Sequence, residues 1–309
     1  MAFLTHNINK IDVSRIAAAA IAAGIAAFAA TATARAAVPA PCGGDAGRPA
    51  TITHVIWIWL ENHSTNEVIG SHAPAIAALA HGCGLATDYR AVAHPSLPNY
   101  IAATSGSTQG IGDDGSPSEH PLAVASIFSQ APSAASYEES MPSPCFLTNH
   151  YPYAARHNPE VYYTRFRASC GHDDIPLGSI GSGPLVRALR SGSLPAFSFV
   201  TPNLCDDMHD CTIPAGNAWL QAWIPAITSS ATYRAGHMVV FVAWDEDDGS
   251  AGNRVPLIVV SPYTRPGTQS AVPFDHYSLL RTTEELLGIR RYLGHAASAP
   301  SMRSAFGLG

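Results

Sequence analysis

Lysine is almost missing from this chain: Lys10 is the only one in 309 residues. It falls in a segment expected to be removed on maturation, so the mature protein has no P-loop lysine, no Schiff-base lysine and no Ser–Lys dyad. No Gly-x-Ser-x-Gly occurs, which excludes the nucleophile elbow of α/β-hydrolases. Cys-x-x-Cys is also missing, which argues against zinc ribbons and thioredoxin-type centres. Charged residues make up only 13% of the chain, with a formal net charge of −6. A surface without basic stripes does not suit nucleic acid, so no nucleic-acid partner is expected.

Hydrophobic residues reach 47%, the composition of a folded chain. Lys10 and Arg15 precede an alanine-rich apolar run that ends at Ala34-Arg35-Ala36. That is the anatomy of a secretory signal peptide over residues 1–36. Its removal moves the formal charge to about −8 and leaves 37–309 as one catalytic-sized domain, secreted or periplasmic and not inserted in a membrane. Six cysteines remain, an even number that suits three disulfides in an exported protein. Many pairings are open; the expected one is Cys42–Cys83, Cys145–Cys170 and Cys205–Cys211.

From Ile52 onward, apolar strand-like runs alternate with helical patterns. "ITHVIWIWL", "PAFSFVTPN", "HMVVFVAWDED" and "VPLIVVSP" read as buried strands. "APAIAALAHGC", "PLAVASIFSQA", "PLVRALRSG", "AGNAWLQAWIPAI" and "DHYSLLRTTEELLG" read as helices, the third ending on Gly192. The expected fold is α/β, a mostly parallel central sheet with helices on both faces. Residues 110–182 have weak periodicity and read as an irregular insert over the sheet, a substrate-shaping lid.

In such sheets ligands sit beyond the carboxyl ends of the strands. The strand ends here are rich in oxygen ligands: Glu61-Asn62 after the first, "NLCDDMHD" after Val200, and "DEDD" after Trp244. Clustered carboxylates repel unless a cation or protons intervene, and oxygen donors suit Ca²⁺, Mg²⁺ or Mn²⁺. Gly249 is misplaced for an EF-hand loop. "AVAHPSLPNYIAATSG" sets Ser96 at a helix entrance, with Pro98 in the first turn and Ser105-Gly106 as the end. A serine there is ordinarily an N-cap; it is also where helix N–H groups favour an anion. His209 sits between Cys205 and Cys211, His276 opens the last helix, and His94 precedes the serine by two positions. Each is a candidate proton donor or orienting group, and each has an ordinary packing or surface alternative.

"ENHS", "HPSLPNY", "PNLCDDMHD", "WDEDDGSAGNRVPLIVVSP" and "FDHYSLLRTTEELLGI" together resemble, in this order, the bacterial phosphoesterase family of acid phosphatases and phospholipases C. That family lies within the alkaline-phosphatase-like superfamily, and the resemblance spans Thr53 to Ile289. It implies Ser96 as nucleophile and Glu61, Asn62, Ser96, Asp245 and Glu246 as the metal-binding set. It also implies that His209 and His276 line a phosphate pocket. Relatives of the phospholipase C branch carry arginine after Glu-Asn, where this chain has His63. The short C-terminus favours the phosphatase branch, acting on a small phosphomonoester or a phospholipid or phosphoinositide head group. A phospholipase C-type phosphodiesterase is the alternative activity, and a non-catalytic exported cation-binding or adhesion module the alternative class. A sulfatase would need arginine where Tyr100 stands.

Overall fold

Strand β1 (His54–Leu60) is apolar on both faces because both are covered: six of its seven residues are buried. The same holds for all seven residues of β6 (Met238–Trp244) and for six of seven in β7 (Arg254–Val260). The computed structural model describes residues 41–43, 50–70 and 72–309; the expected signal segment 1–36 lies outside them. Among the described residues no helix is long and apolar enough to cross a membrane.

The remaining strands are β2 (Gly84–Arg90), β3 (Ala134–Glu138), β4 (Asp174–Pro176), β5 (Phe197–Thr201), β8 (Thr268–Ser270) and β9 (Phe274–Asp275). They form one sheet ordered β4-β3-β5-β1-β6-β7-β2-β8, with β9 also on β2. Only β7 runs antiparallel to its neighbours β6 and β2. Two reversals cancel, so β2 points the same way as β1, β5 and β6. Every segment leaving those strands therefore emerges at one edge, where the expected site should lie.

Helices of two turns or more are α1 (Pro74–Gly82), α2 (Ser96–Ser105), α3 (Pro184–Ser191), α4 (Ile213–Thr228) and α5 (His276–Leu286). Helix α2 ends on Gly106 in the left-handed conformation, its N–H donating to Ala102. A Cβ at Gly106 would also lie 2.2 Å from the Leu293 carbonyl oxygen, so the position excludes any side chain on two counts. Asp275 caps α5, accepting the Ser278 N–H at 2.8 Å.

Two expectations need correction. "PLAVASIFSQA" is helical only over Ile127–Gln130; Ser126 caps that turn, and Leu122 bridges Tyr163 as extended chain. The region 110–182 is not merely a cover, because it supplies β3 and β4 to the sheet itself. The three disulfides pair as expected: Cys42–Cys83, Cys145–Cys170 and Cys205–Cys211.

Candidate active site

Ser96 is the first residue of α2 and only 2% exposed. Its Oγ donates to Glu61 Oε2 at 2.9 Å. Glu61 follows β1 directly and is fully buried, with Tyr100 OH donating to its other oxygen. The "PNY" that follows Ser96-Leu97 is therefore wiring. Asn99 accepts from Val92 and Ala93 N–H and donates to Ala93 and Pro95 carbonyls, fixing the loop before the serine, while Tyr100 fixes the acid it faces.

Asp245 and Glu246 leave β6 at the same edge, both buried. Asp245 Oδ1 accepts the Asn62 N–H at 3.1 Å, and Asn62 adopts a left-handed backbone (φ 55°) there. The Ser96 hydroxyl bonds Glu61, and its dipole also favours the charged forms of Asp245 and Glu246. Asp247 turns the other way and organises the following loop, accepting N–H bonds from Gly249, Ala251 and Asn253.

The structure brings in two residues that the sequence reading passed over. His157 is 2% exposed and stacks on Tyr100; its Nδ1 lies 3.1 Å from Asp207 Oδ2. Its Nε2 is 3.3 Å from Glu61 Oε1, unaligned, and has no hydrogen-bond partner. Arg156, next to it, donates to His209 Nε2 at 3.0 Å. With Arg156 donating, that nitrogen is an acceptor, and the His209 proton lies on Nδ1, 2.7 Å from Asp210. His157 and Arg156 sit in "ARHNPE", a stretch with no motif or periodicity to flag it.

His276 departs from its expected place. It is fully buried: Nε2 donates to the Asp245 carbonyl at 2.7 Å, and Nδ1 accepts from Tyr89 OH at 2.8 Å. With both nitrogens engaged the ring positions the Asp245 backbone and does not line a phosphate pocket. Burial pushes its pKa down to about 4. His94 lies 2.7 Å from Glu246 Oε2 and 3.3 Å from Asp247 Oδ1, so it faces the acidic loop and makes no bond to the serine. His63 pairs with Glu67 at 3.4 Å.

Electrostatically the site holds more negative charge than its surroundings tolerate. Burial first, then the charges of Asp245 and Asp207, raise Glu61 well above the carboxylate range. Burial likewise pushes Asp245 up to about 7, Asp207 to about 8 and Glu246 to about 9. Asp245 Oδ2 and His157 Nε2 are buried without hydrogen-bond partners, and Glu246 Oε2 has only the His94 ring nitrogen beside it, at 2.7 Å but without hydrogen-bond alignment. Buried acceptors in this state call for protons or a cation. Glu61, His157 and His209 form a group able to hold a metal ion, their ligand atoms within 4.8 Å of one another. Two imidazoles suit a transition metal better than Ca²⁺ or Mg²⁺, which modifies the all-oxygen set expected from sequence.

A mostly parallel sheet carrying a buried serine and convergent carboxylates at its carboxyl edge defines a phosphoester-hydrolase type of site. Residues 58–290 match the Phosphoesterase family, and the chain belongs to it. It is 30% identical over 262 residues to the phosphatidylinositol-3-phosphatase of Mycobacterium tuberculosis, covering 83% of this chain and 84% of that one. It is 27% identical to an acid phosphatase of Aspergillus fumigatus, covering 75% of this chain but only 54% of that longer one. Among solved structures, an alkaline phosphatase superfamily protein from Vibrio parahaemolyticus superposes with a TM-score of 0.54 at 13% identity. That alignment covers 86% of this chain and 73% of that one, a likeness of fold.

Proposed function

We propose that this protein is an exported phosphomonoesterase of acid phosphatase type, working through a phosphoserine on Ser96. The observation that carries the reading is the Ser96 hydroxyl, buried at a helix N-terminus and bonded to Glu61, whose pKa the neighbouring Asp245 raises. Ser96 Oγ attacks phosphorus in line; the Oγ–P bond forms as the bond to the ester oxygen breaks. The serine proton passes toward Glu61 Oε2, the acceptor it already faces. His209, at the rim, takes a proton from solvent on Nε2 once Arg156 leaves that nitrogen and passes it to the departing alcohol. Water then attacks the phosphoserine, Ser96 leaves, and inorganic phosphate is released.

Glu61, Asp245 and Glu246, with Ser96 and Asn62, would hold a divalent cation, and His157 and His209 share Glu61 on its other side. Such a cation, when bound, lowers the pKa of the serine hydroxyl and neutralises phosphate charge. The orphaned acceptors predict a measurable consequence. Adding Mn²⁺, Mg²⁺ or Ca²⁺ to chelator-treated protein should raise Tm. At a hundredfold excess over Kd the gain is about 2.7 kcal/mol, a shift of several degrees. Asp245→Asn should abolish the response; no shift with any cation in the wild type would refute the proposed cation site.

The mycobacterial relative's name supports a phosphate monoester on an inositol ring as a substrate class. Paired assays on p-nitrophenyl phosphate and bis-p-nitrophenyl phosphate test the choice of monoester over diester. We expect the monoester to be hydrolysed at least about tenfold faster, since a diester's second substituent must fit where Ser96 is almost fully enclosed. Faster diester turnover would place the protein in the phosphodiesterase branch instead. Three disulfides support export.

A further inference from the structure

Resting on the reading of Ser96 as nucleophile, we infer that Asp114 is an internal stand-in for the substrate phosphate, seated on the anion-binding donors and displaced when substrate arrives. The N–H of Leu97, the residue after the serine, is the donor best placed to hold an oxygen of a phosphoryl group on Ser96. That N–H is taken: it donates to Asp114 Oδ1 at 3.0 Å. Asp114 Oδ2 lies 3.9 Å from Arg156 Nε, and that nitrogen is buried with no hydrogen-bond partner. One carboxylate thus engages a main-chain donor beside the nucleophile and a guanidinium, the pair of groups that bind phosphate.

The loop that brings Asp114 here is held on either side while its own carboxylate stays movable. Asp113 accepts the Gly115 N–H and contacts His120, and Tyr162 OH donates to the Gly115 carbonyl. The Asp114 side chain itself is 37% exposed. It also adds to the negative charge that raises Glu246, so it is an electrostatic burden on the rim. In a mature chain without lysine, Arg156 is the cation within reach of both Asp114 and His209. A phosphate oxygen carries more charge than the carboxylate it would replace. It would take the Leu97 N–H and draw Arg156 off His209 Nε2, freeing that nitrogen for proton transfer.

Asp114 would then set affinity for phosphate by competing with it. The test is calorimetric binding of inorganic phosphate to the mature protein, with KM and kcat measured on p-nitrophenyl phosphate. Asp114→Asn and Asp114→Ala are expected to bind phosphate about three- to tenfold more tightly and to lower KM. Arg156→Gln is expected to weaken phosphate binding about tenfold. Unchanged or weaker binding in both Asp114 variants would overturn the inference, whether Asp114 then serves packing or catalysis. Ser96→Ala separates this failure from that of the site. If Ser96→Ala retains turnover the active-site reading falls; if it is inert while the Asp114 variants leave phosphate affinity unchanged, only the surrogate-anion role falls.

Discussion

Ser96→Ala is expected to lower kcat on p-nitrophenyl phosphate by about a thousandfold or more while leaving the fold intact. Removing a covalent nucleophile leaves only the binding and electrostatic contributions of the site, which is why the loss is so large. The structural cost is small by comparison. Ser96 Oγ makes one described hydrogen bond, to Glu61, a contribution of about 1 kcal/mol. For a chain of this size that shifts Tm by only about 2–4 °C. Acid quenching during turnover of a radiolabelled monoester should trap phosphate on wild-type protein and none on Ser96→Ala. Near-wild-type turnover by the purified variant, or label retained without the hydroxyl, would show that another group attacks phosphorus.

How far the sequence foretold this arrangement depends on where each residue's information lies. Glu61, Asp245 and the serine were legible because they abut long apolar strands or a proline-marked helix start, which are local signals. Export and an even cysteine count implied three disulfides, while the pairing was one choice among many. Strand β2 was missed because Thr87 and Asp88 interrupt its apolar run at an irregularity between Ala86 and Tyr89. Strand β3, "AASYE", is short and carries Ser136 and Glu138, polar residues that are buried only because the sheet and the 3₁₀ turns Ala155–His157 and Pro159–Tyr162 close over them. His157, Arg156 and Asp114 come from that same aperiodic region, where position is set by long-range contacts with no local pattern. His276 shows the reverse case: the resemblance implies a histidine lining a phosphate pocket, whereas Tyr89 and the Asp245 carbonyl claim both its nitrogens.

Three carboxyls outside the active site should each favour the folded state more strongly as the medium becomes acidic. Glu138, Glu160 and Asp174 form a second buried acidic group beneath the 3₁₀ turns, each at most 1% exposed. Asn158 Nδ2 donates to Asp174 Oδ1 at 2.8 Å, but Asp174 Oδ2 and Glu160 Oε2 have no partner. Burial raises all three: Glu138 and Glu160 well above the carboxylate range, and Asp174 to about 7. A carboxyl that binds its proton more tightly when folded favours the folded state where it is protonated. Below the unfolded pKa, about 3.9, folding carries no penalty from it. The penalty grows as pH rises and is complete once Asp174 has passed about 7. For Asp174 alone this is roughly 4 kcal/mol, a large share of a typical net stability. Much of it is offset by the apolar burial of β1, β6 and β7, where each enclosed side chain contributes about 1.5–3 kcal/mol. Asp174→Asn mimics the protonated carboxyl in shape and still accepts from Asn158. It should therefore raise Tm at pH 8 by several degrees and leave Tm at pH 4 nearly unchanged. Divalent cations relieve Glu61, Asp245 and Glu246, and the difference between wild type and Asp174→Asn isolates the share of the remaining pH slope that belongs to Asp174. A Tm gain in Asp174→Asn that is no larger at pH 8 than at pH 4 would mean this carboxyl is not held protonated by burial.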